Sequence, residues 1–107
     1  MDIKIVDEST TPATFRTIHV EEGGMILLPP RVPHSPQRYA DTLGIVIERT
    51  RTRENAVDDA LRWYCDECHG IVYEEKFLCL DVVAQLKDII NRFHASDKRC
   101  PTCGHCN

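Results

Sequence analysis

Two C-x-x-C pairs, Cys65-Asp66-Glu67-Cys68 and Cys100-Pro101-Thr102-Cys103, constrain this chain more than any other feature. A C-x-x-C turn brings two thiolates to one side of a tight loop, and two such turns supply four sulfurs to one tetrahedral ion. Gly104 directly follows Cys103, and Gly70 follows Cys68 by two. Both suit knuckles that need positive φ and backbone N–H groups aimed at sulfur. A thioredoxin-type redox pair and a set of unrelated buried thiols are the alternatives, and the matched glycines favour metal. Zinc and a rubredoxin-like iron both remain open. Neither leaves a vacant coordination position in a four-sulfur set, so the expected role is structural.

The remaining two of the six cysteines are read differently. Cys79 lies between Leu78 and Leu80 and is expected to be a buried core thiol. His105 and Cys106 extend the second pair to C-x-x-C-x-H-C and are expected to be disordered bystanders near the end of the chain. Six cysteines in 107 residues also raise the question of a disulfide scaffold. The first residues, Met1-Asp2-Ile3-Lys4-Ile5-Val6-Asp7, carry acids and no apolar core segment, so no secretory signal is expected. With the pairs spaced as they are, a cytoplasmic metal site is the expectation. The formal net charge of -4 gives no general attraction to nucleic acid or anionic membrane. Residues 61–107 hold 6 Lys+Arg against 7 Asp+Glu with no basic stripe, which argues against a nucleic-acid-binding ribbon. No apolar run approaches bilayer-spanning length.

The chain reads as mainly β, in two regions. Residues 1–60 show short apolar runs between turn signals. Strands are expected at 3–7, 15–20, 25–28 and 43–48, with a tight turn at Glu21-Glu22-Gly23-Gly24 and a stiff extended loop at Pro29-Pro30-Arg31-Val32-Pro33. Arg49 to Asn55 forms a charged linker. Residues 61–107 form the metal module, with a short strand at 71–73 and a helix over 81–94 capped by Asp81. Val82, Leu86, Ile89 and Phe93 make one apolar stripe on that helix, read as core packing, with Asp88, Asn91 and Arg92 opposite.

The stretch from Gly23 to Arg38 carries a second signal. It resembles the second cupin motif: Gly23, Pro29 and His34 match its glycine, proline and metal-binding histidine, and Arg31 stands where that motif has glycine. The longer string is more specific. Leu28-Pro29, Val32-Pro33-His34-Ser35-Pro36-Gln37-Arg38, Ile45-Val46-Ile47-Glu48 and Arg62-Trp63-Tyr64-Cys65-x-x-Cys68 together resemble the 3-hydroxyanthranilate 3,4-dioxygenase family, in its shorter bacterial and fungal form with a second, four-cysteine metal.

That resemblance implies a partial cupin barrel (a double-stranded β-helix, or jelly roll) over 1–60, followed by a small rubredoxin-like knuckle module. It implies Fe(II) at a catalytic site with His34 as a ligand, and Fe or Zn at Cys65, Cys68, Cys100 and Cys103. Arg38 would hold the substrate carboxylate, for which a guanidinium fork is suited. Glu48 would sit beside the substrate amino and hydroxyl groups; in a strand it shares a face with Gly44 and Val46. The implied partners are 3-hydroxyanthranilate and O2, and a homodimer is possible. The family's first cupin motif, which supplies a histidine and a glutamate to the iron, is expected to be missing, leaving one of three ligands. An enzyme that needs the missing strands and a non-catalytic metal-knuckle remnant are the two competing expectations.

Overall fold

The computed structural model describes residues 1–54 and 58–107, so Asn55, the last residue of the expected linker, lies outside the described residues. The chain divides into two compact units, Met1–Ile47 and Glu48–Asn107, each with its own sheet.

In the first unit the β-branched run at the start makes the central strand β1, Asp2–Asp7. It is flanked antiparallel by β2, Thr14–His19, and β3, His34–Gln37. Ile3 and Val6 lie on opposite faces of β1 and are the buried hydrophobic residues of this unit. Pro36 stands opposite Ile3 in β3. A proline is tolerated there because β3 pairs on one side only. The turn at Glu21-Glu22-Gly23-Gly24 forms as expected, closed by Gly24 N–H donating to the Glu21 carbonyl at 2.8 Å. Its two glycines serve different ends. Gly23 has φ 77°, whereas a Cβ on Gly24 would lie 2.8 Å from the Glu21 carbonyl oxygen.

Two expected strands are corrected. Met25–Leu28 and Leu43–Glu48 form no strand. Met25 is 96% exposed, Leu27 90%, Leu43 91% and Ile47 93%. A strand requires a neighbour's ladder, and neither run pairs with the outer edge of β2 or β3. Apolar alternation alone does not supply that neighbour. Among the described residues neither sheet closes into a barrel. The histidine-bearing segment 34–37, which follows the expected stiff loop and is not among the expected strands, is a strand.

The second unit is built on a hairpin of β4, Asp59–Tyr64, and β5, Ile71–Phe77, with a register shift between Trp63 and Tyr64. Arg62 stands opposite Glu74 and is salt-bridged to it. The helix α1, Val82–Ala95, meets this hairpin through Phe93, and its buried residues Ile89 and Phe93 are 2% and 6% exposed. Phe93 stacks on Trp63 at 4.2 Å between ring centroids and meets Tyr73 at 5.6 Å. Asp81 caps α1 as expected, accepting from Ala84 N–H at 3.1 Å. Gln85 reinforces the cap: its Oε1 accepts from Leu80 and Asp81 N–H, and its Nε2 donates to the Leu78 carbonyl. The apolar stripe is buried at its C-terminal end only, since Leu86 is half-buried and Val82 is 52% exposed. Cys79 is half-buried, short of the buried core thiol expected. No helix among the described residues is long and apolar enough to cross a membrane.

Candidate metal centre

The two cysteine pairs fold into the same local structure, repeated after 35 residues. In the first, Cys65 N–H donates to the Gly70 carbonyl at 2.7 Å and His69 N–H to the Cys65 carbonyl at 3.0 Å. In the second, Cys100 N–H donates to the His105 carbonyl at 2.7 Å and Gly104 N–H to the Cys100 carbonyl at 2.9 Å. The flanking backbone pairs correspond as well: Tyr64 with Ile71, and Arg99 with Cys106. His105 and Cys106, expected to be disordered, are therefore part of the second knuckle's own backbone pairing.

The conformations within the knuckles correct one detail. The left-handed residue after the first pair is His69, with φ 60°, and its counterpart is Gly104, with φ 78°. Histidine is among the residues that tolerate this region best. Gly70 sits in a tight space instead. A Cβ there would lie 3.2 Å from Thr102 Oγ1 and 3.3 Å from Cys68 Sγ. Its N–H does point at sulfur, donating to Cys68 Sγ at 3.4 Å. Glu67 N–H and Thr102 N–H donate to Cys65 and Cys100 Sγ, each at 3.4 Å.

The four sulfurs lie within 4.8 Å of one another. Cys65 and Cys103 are 3.6 Å apart, and Cys68 and Cys100 are 3.5 Å apart. Ligands about 2.3 Å from a tetrahedral zinc lie roughly 3.8 Å from each other, so the donor set fits such an ion. Cys65 and Cys100 are buried, while Cys68 and Cys103 are exposed. The crowded thiols differ in how readily they ionise. The Cys103 and Thr102 N–H groups, with the neighbouring thiols, pull Cys100 down to about 6. The Gly70 N–H favours the Cys68 thiolate, but the Cys100 thiol and burial outweigh it and push Cys68 up to about 12. Cys103 is raised too: the His105 N–H lowers it, but burial and the Cys65 thiol prevail. Four thiolates this close repel one another, and a bound cation removes that repulsion.

Of the other expected site residues, His34 and Arg38 lie in the first unit and Glu48 in the second. His34 opens β3, exposed, with Nδ1 2.9 Å from the Val32 carbonyl oxygen. Arg38 is exposed, and its guanidinium lies against Gly44, with Nη1 3.5 Å from that carbonyl oxygen. Glu48 belongs to the second unit, where Arg51 donates to it at 2.9 Å and also grips Asp59 at 2.7 Å. Arg31, at the glycine position of the motif, has φ 64°, the conformation a glycine would favour. Among the described residues the four cysteines are the one group of three or more possible metal ligands.

Sequence reasoning missed two features. Asp2 carries a carboxylate shared by Tyr39 Oη at 2.5 Å and His19 Nδ1 at 2.6 Å, tying together segments on either side of β1. Asn107 reaches across from the second knuckle to the first. Neither leaves a local sequence signal, because each depends on segments at least 17 residues apart.

These features define a class: a β-rich chain carrying a four-cysteine group with metal-ligand geometry. Comparison with known proteins narrows it. The profile of the 3-hydroxyanthranilic acid dioxygenase family matches residues 1–94. The chain is 46% identical over 106 residues to a 3-hydroxyanthranilate 3,4-dioxygenase of Coccidioides immitis, covering 97% of this chain and 54% of that protein. It is 44% identical over 108 residues to one of Aspergillus niger, covering 97% of this chain and 56% of the relative. It is 45% identical over 109 residues to one of Lodderomyces elongisporus, covering 100% and 59%. The chain belongs to the 3-hydroxyanthranilic acid dioxygenase family. It spans somewhat more than half the length of these relatives.

Proposed function

We propose that this chain serves the ring opening of 3-hydroxyanthranilate by O2. The observation that carries this is the 46% identity extending over 97% of the chain. In this reaction both atoms of O2 enter the substrate as one ring carbon–carbon bond breaks. The product is 2-amino-3-carboxymuconate semialdehyde, a precursor of quinolinate and NAD. Arg38 is assigned to the substrate carboxylate, which its planar fork suits. Glu48 is assigned to the substrate amino and hydroxyl groups. His34 is assigned as a ligand of catalytic Fe(II). The described residues do not fit that ion by themselves, because no group of three possible ligands includes His34. Two further ligands are required from outside them, and no catalytic step is assigned through the metal.

The four cysteines fit a second metal, Fe or Zn, held for structure because its ligand set is complete. That same observation favours a second reading, in which the 107 residues are a non-catalytic metal-knuckle module. One experiment separates the two. The chain is assayed with Fe(II) and O2 for the ring-opened product, alone and fused to the segment of a relative that it does not match. The dioxygenase reading expects no turnover alone and turnover in the fusion. In the fusion His34→Ala abolishes turnover, and Arg38→Ala mainly weakens substrate binding. An active fusion indifferent to both substitutions overturns the site assignment, and an inactive fusion favours the knuckle module.

A further inference from the structure

The two knuckles repeat after 35 residues, but they are not supported equally. The first sits at the end of a hairpin whose ladder continues to Asp59 and Phe77, whereas the second is flanked by the single bridge of Arg99 with Cys106. Asn107, one residue past that bridge, has Val72 as its counterpart and so has no equivalent in the first repeat. Its carboxamide spans the backbone on both sides of Cys65. Nδ2 donates to the Tyr64 carbonyl at 2.7 Å, and Oδ1 accepts from Asp66 N–H at 3.1 Å. Only one orientation of the amide satisfies both partners, so its two ends are assigned by chemistry.

We propose that Asn107 is a positioning residue for the four-sulfur centre, holding the Cys65 peptide so that this buried sulfur faces the other three. Asp66 N–H is taken by Asn107, and the next N–H, of Glu67, donates to Cys65 Sγ at 3.4 Å, as Thr102 N–H does to Cys100 Sγ in the second knuckle. Cys65 is 1% exposed and lies 3.6 Å from Cys103 Sγ, so a rotated peptide would carry the sulfur away from its neighbours. Groups that orient metal ligands in this way commonly contribute roughly 10–100-fold to affinity. The inference rests on the reading that the four cysteines hold a metal.

The test loads the full 107-residue chain with Co(II), whose thiolate absorption reports the ligand set, and follows its loss to excess chelator. Asn107→Ala should release Co(II) roughly 10–100-fold faster while keeping a four-thiolate spectrum when loaded. Asn107→Asp keeps the acceptor, loses the donor and adds negative charge beside thiolates, and should release it at least as fast. Ile89→Val, a core change in the same unit, serves as the comparator for general destabilisation. Amide exchange at Asp66 should accelerate in Asn107→Ala and not in Ile89→Val. Release by Asn107→Ala within about twofold of the parent overturns the inference and leaves the metal reading standing. Equal acceleration by Ile89→Val also overturns it, since Asn107 would then act through stability alone. A parent chain that takes up no Co(II) overturns the metal reading and this inference together.

Discussion

The two units of this chain show opposite relations between sequence and structure. In Glu48–Asn107 the strongest local signals became the expected features: two cysteine turns that bring four sulfurs together, and a helix capped by Asp81. In Met1–Ile47 equally apolar segments stayed exposed and unpaired, with Met25, Leu27, Leu43, Ile45 and Ile47 each more than four-fifths exposed. The difference lies in what each segment needs. A C-x-x-C turn and a capped helix satisfy most of their polar groups within a few residues. A strand leaves its N–H and C=O groups to a neighbour and its apolar face to a second layer.

The largest expected effect tests whether the second unit is held by its metal. Cys100→Ser should release the ion, and because apparent binding in zinc modules is roughly 10–16 kcal/mol, should also unfold most of this unit. Elemental analysis together with far-UV circular dichroism checks both. Folded parent protein without zinc or iron, or a variant that keeps its metal, would break the comparison at its strongest point.

A smaller effect contrasts one aromatic in each unit. Phe93 is 6% exposed and stacked on Trp63, so Phe93→Ala should cost about 3–5 kcal/mol in denaturant unfolding. Phe15 is 37% exposed, and Phe15→Ala should cost about 1 kcal/mol or less. Similar losses at the two positions would mean that the first unit has a core as well developed as the second.

The smallest effect is acid sensitivity, and it sharpens the comparison by placing one carboxylate in each unit. Arg92 holds the Glu75 carboxyl below its ordinary value of 4.5, with Tyr73 assisting. Tyr39, then His19, hold the Asp2 carboxyl below 3.8. A carboxylate whose folded pKa is depressed contributes stability above its unfolded pKa and loses it as pH falls through the folded one. The second unit should therefore begin to lose stability as pH falls below about 4.5, and the first as it falls below about 3.8. Glu75→Gln should flatten the acid limb for the second unit alone, and Asp2→Asn for the first alone. Unfolding followed by a Trp63 signal and by a Tyr39-specific label distinguishes them. Acid profiles left unchanged by both substitutions would show that these pairs are too well solvated to matter.

What the sequence by itself determined is what is encoded over short spans. The cysteine spacing specifies the knuckles, Asp81 the start of the helix, and Gly23-Gly24 the turn. The string from Leu28 to Cys68 carries the family. Tertiary structure decided the rest. Left-handed backbone went to His69 and Arg31, and Gly70 lies where a Cβ would approach Thr102 and Cys68 Sγ closely. His34 entered a strand by pairing with β1, and Leu43–Glu48 paired with no strand. Glu48 found Arg51, and Asn107 found the Cys65 peptide, by contacts that no local pattern announces. The physical reason is the same throughout. Turns and caps close their hydrogen bonds locally, whereas strand pairing, ion pairing and burial are settled by whichever distant groups compete for the same partner.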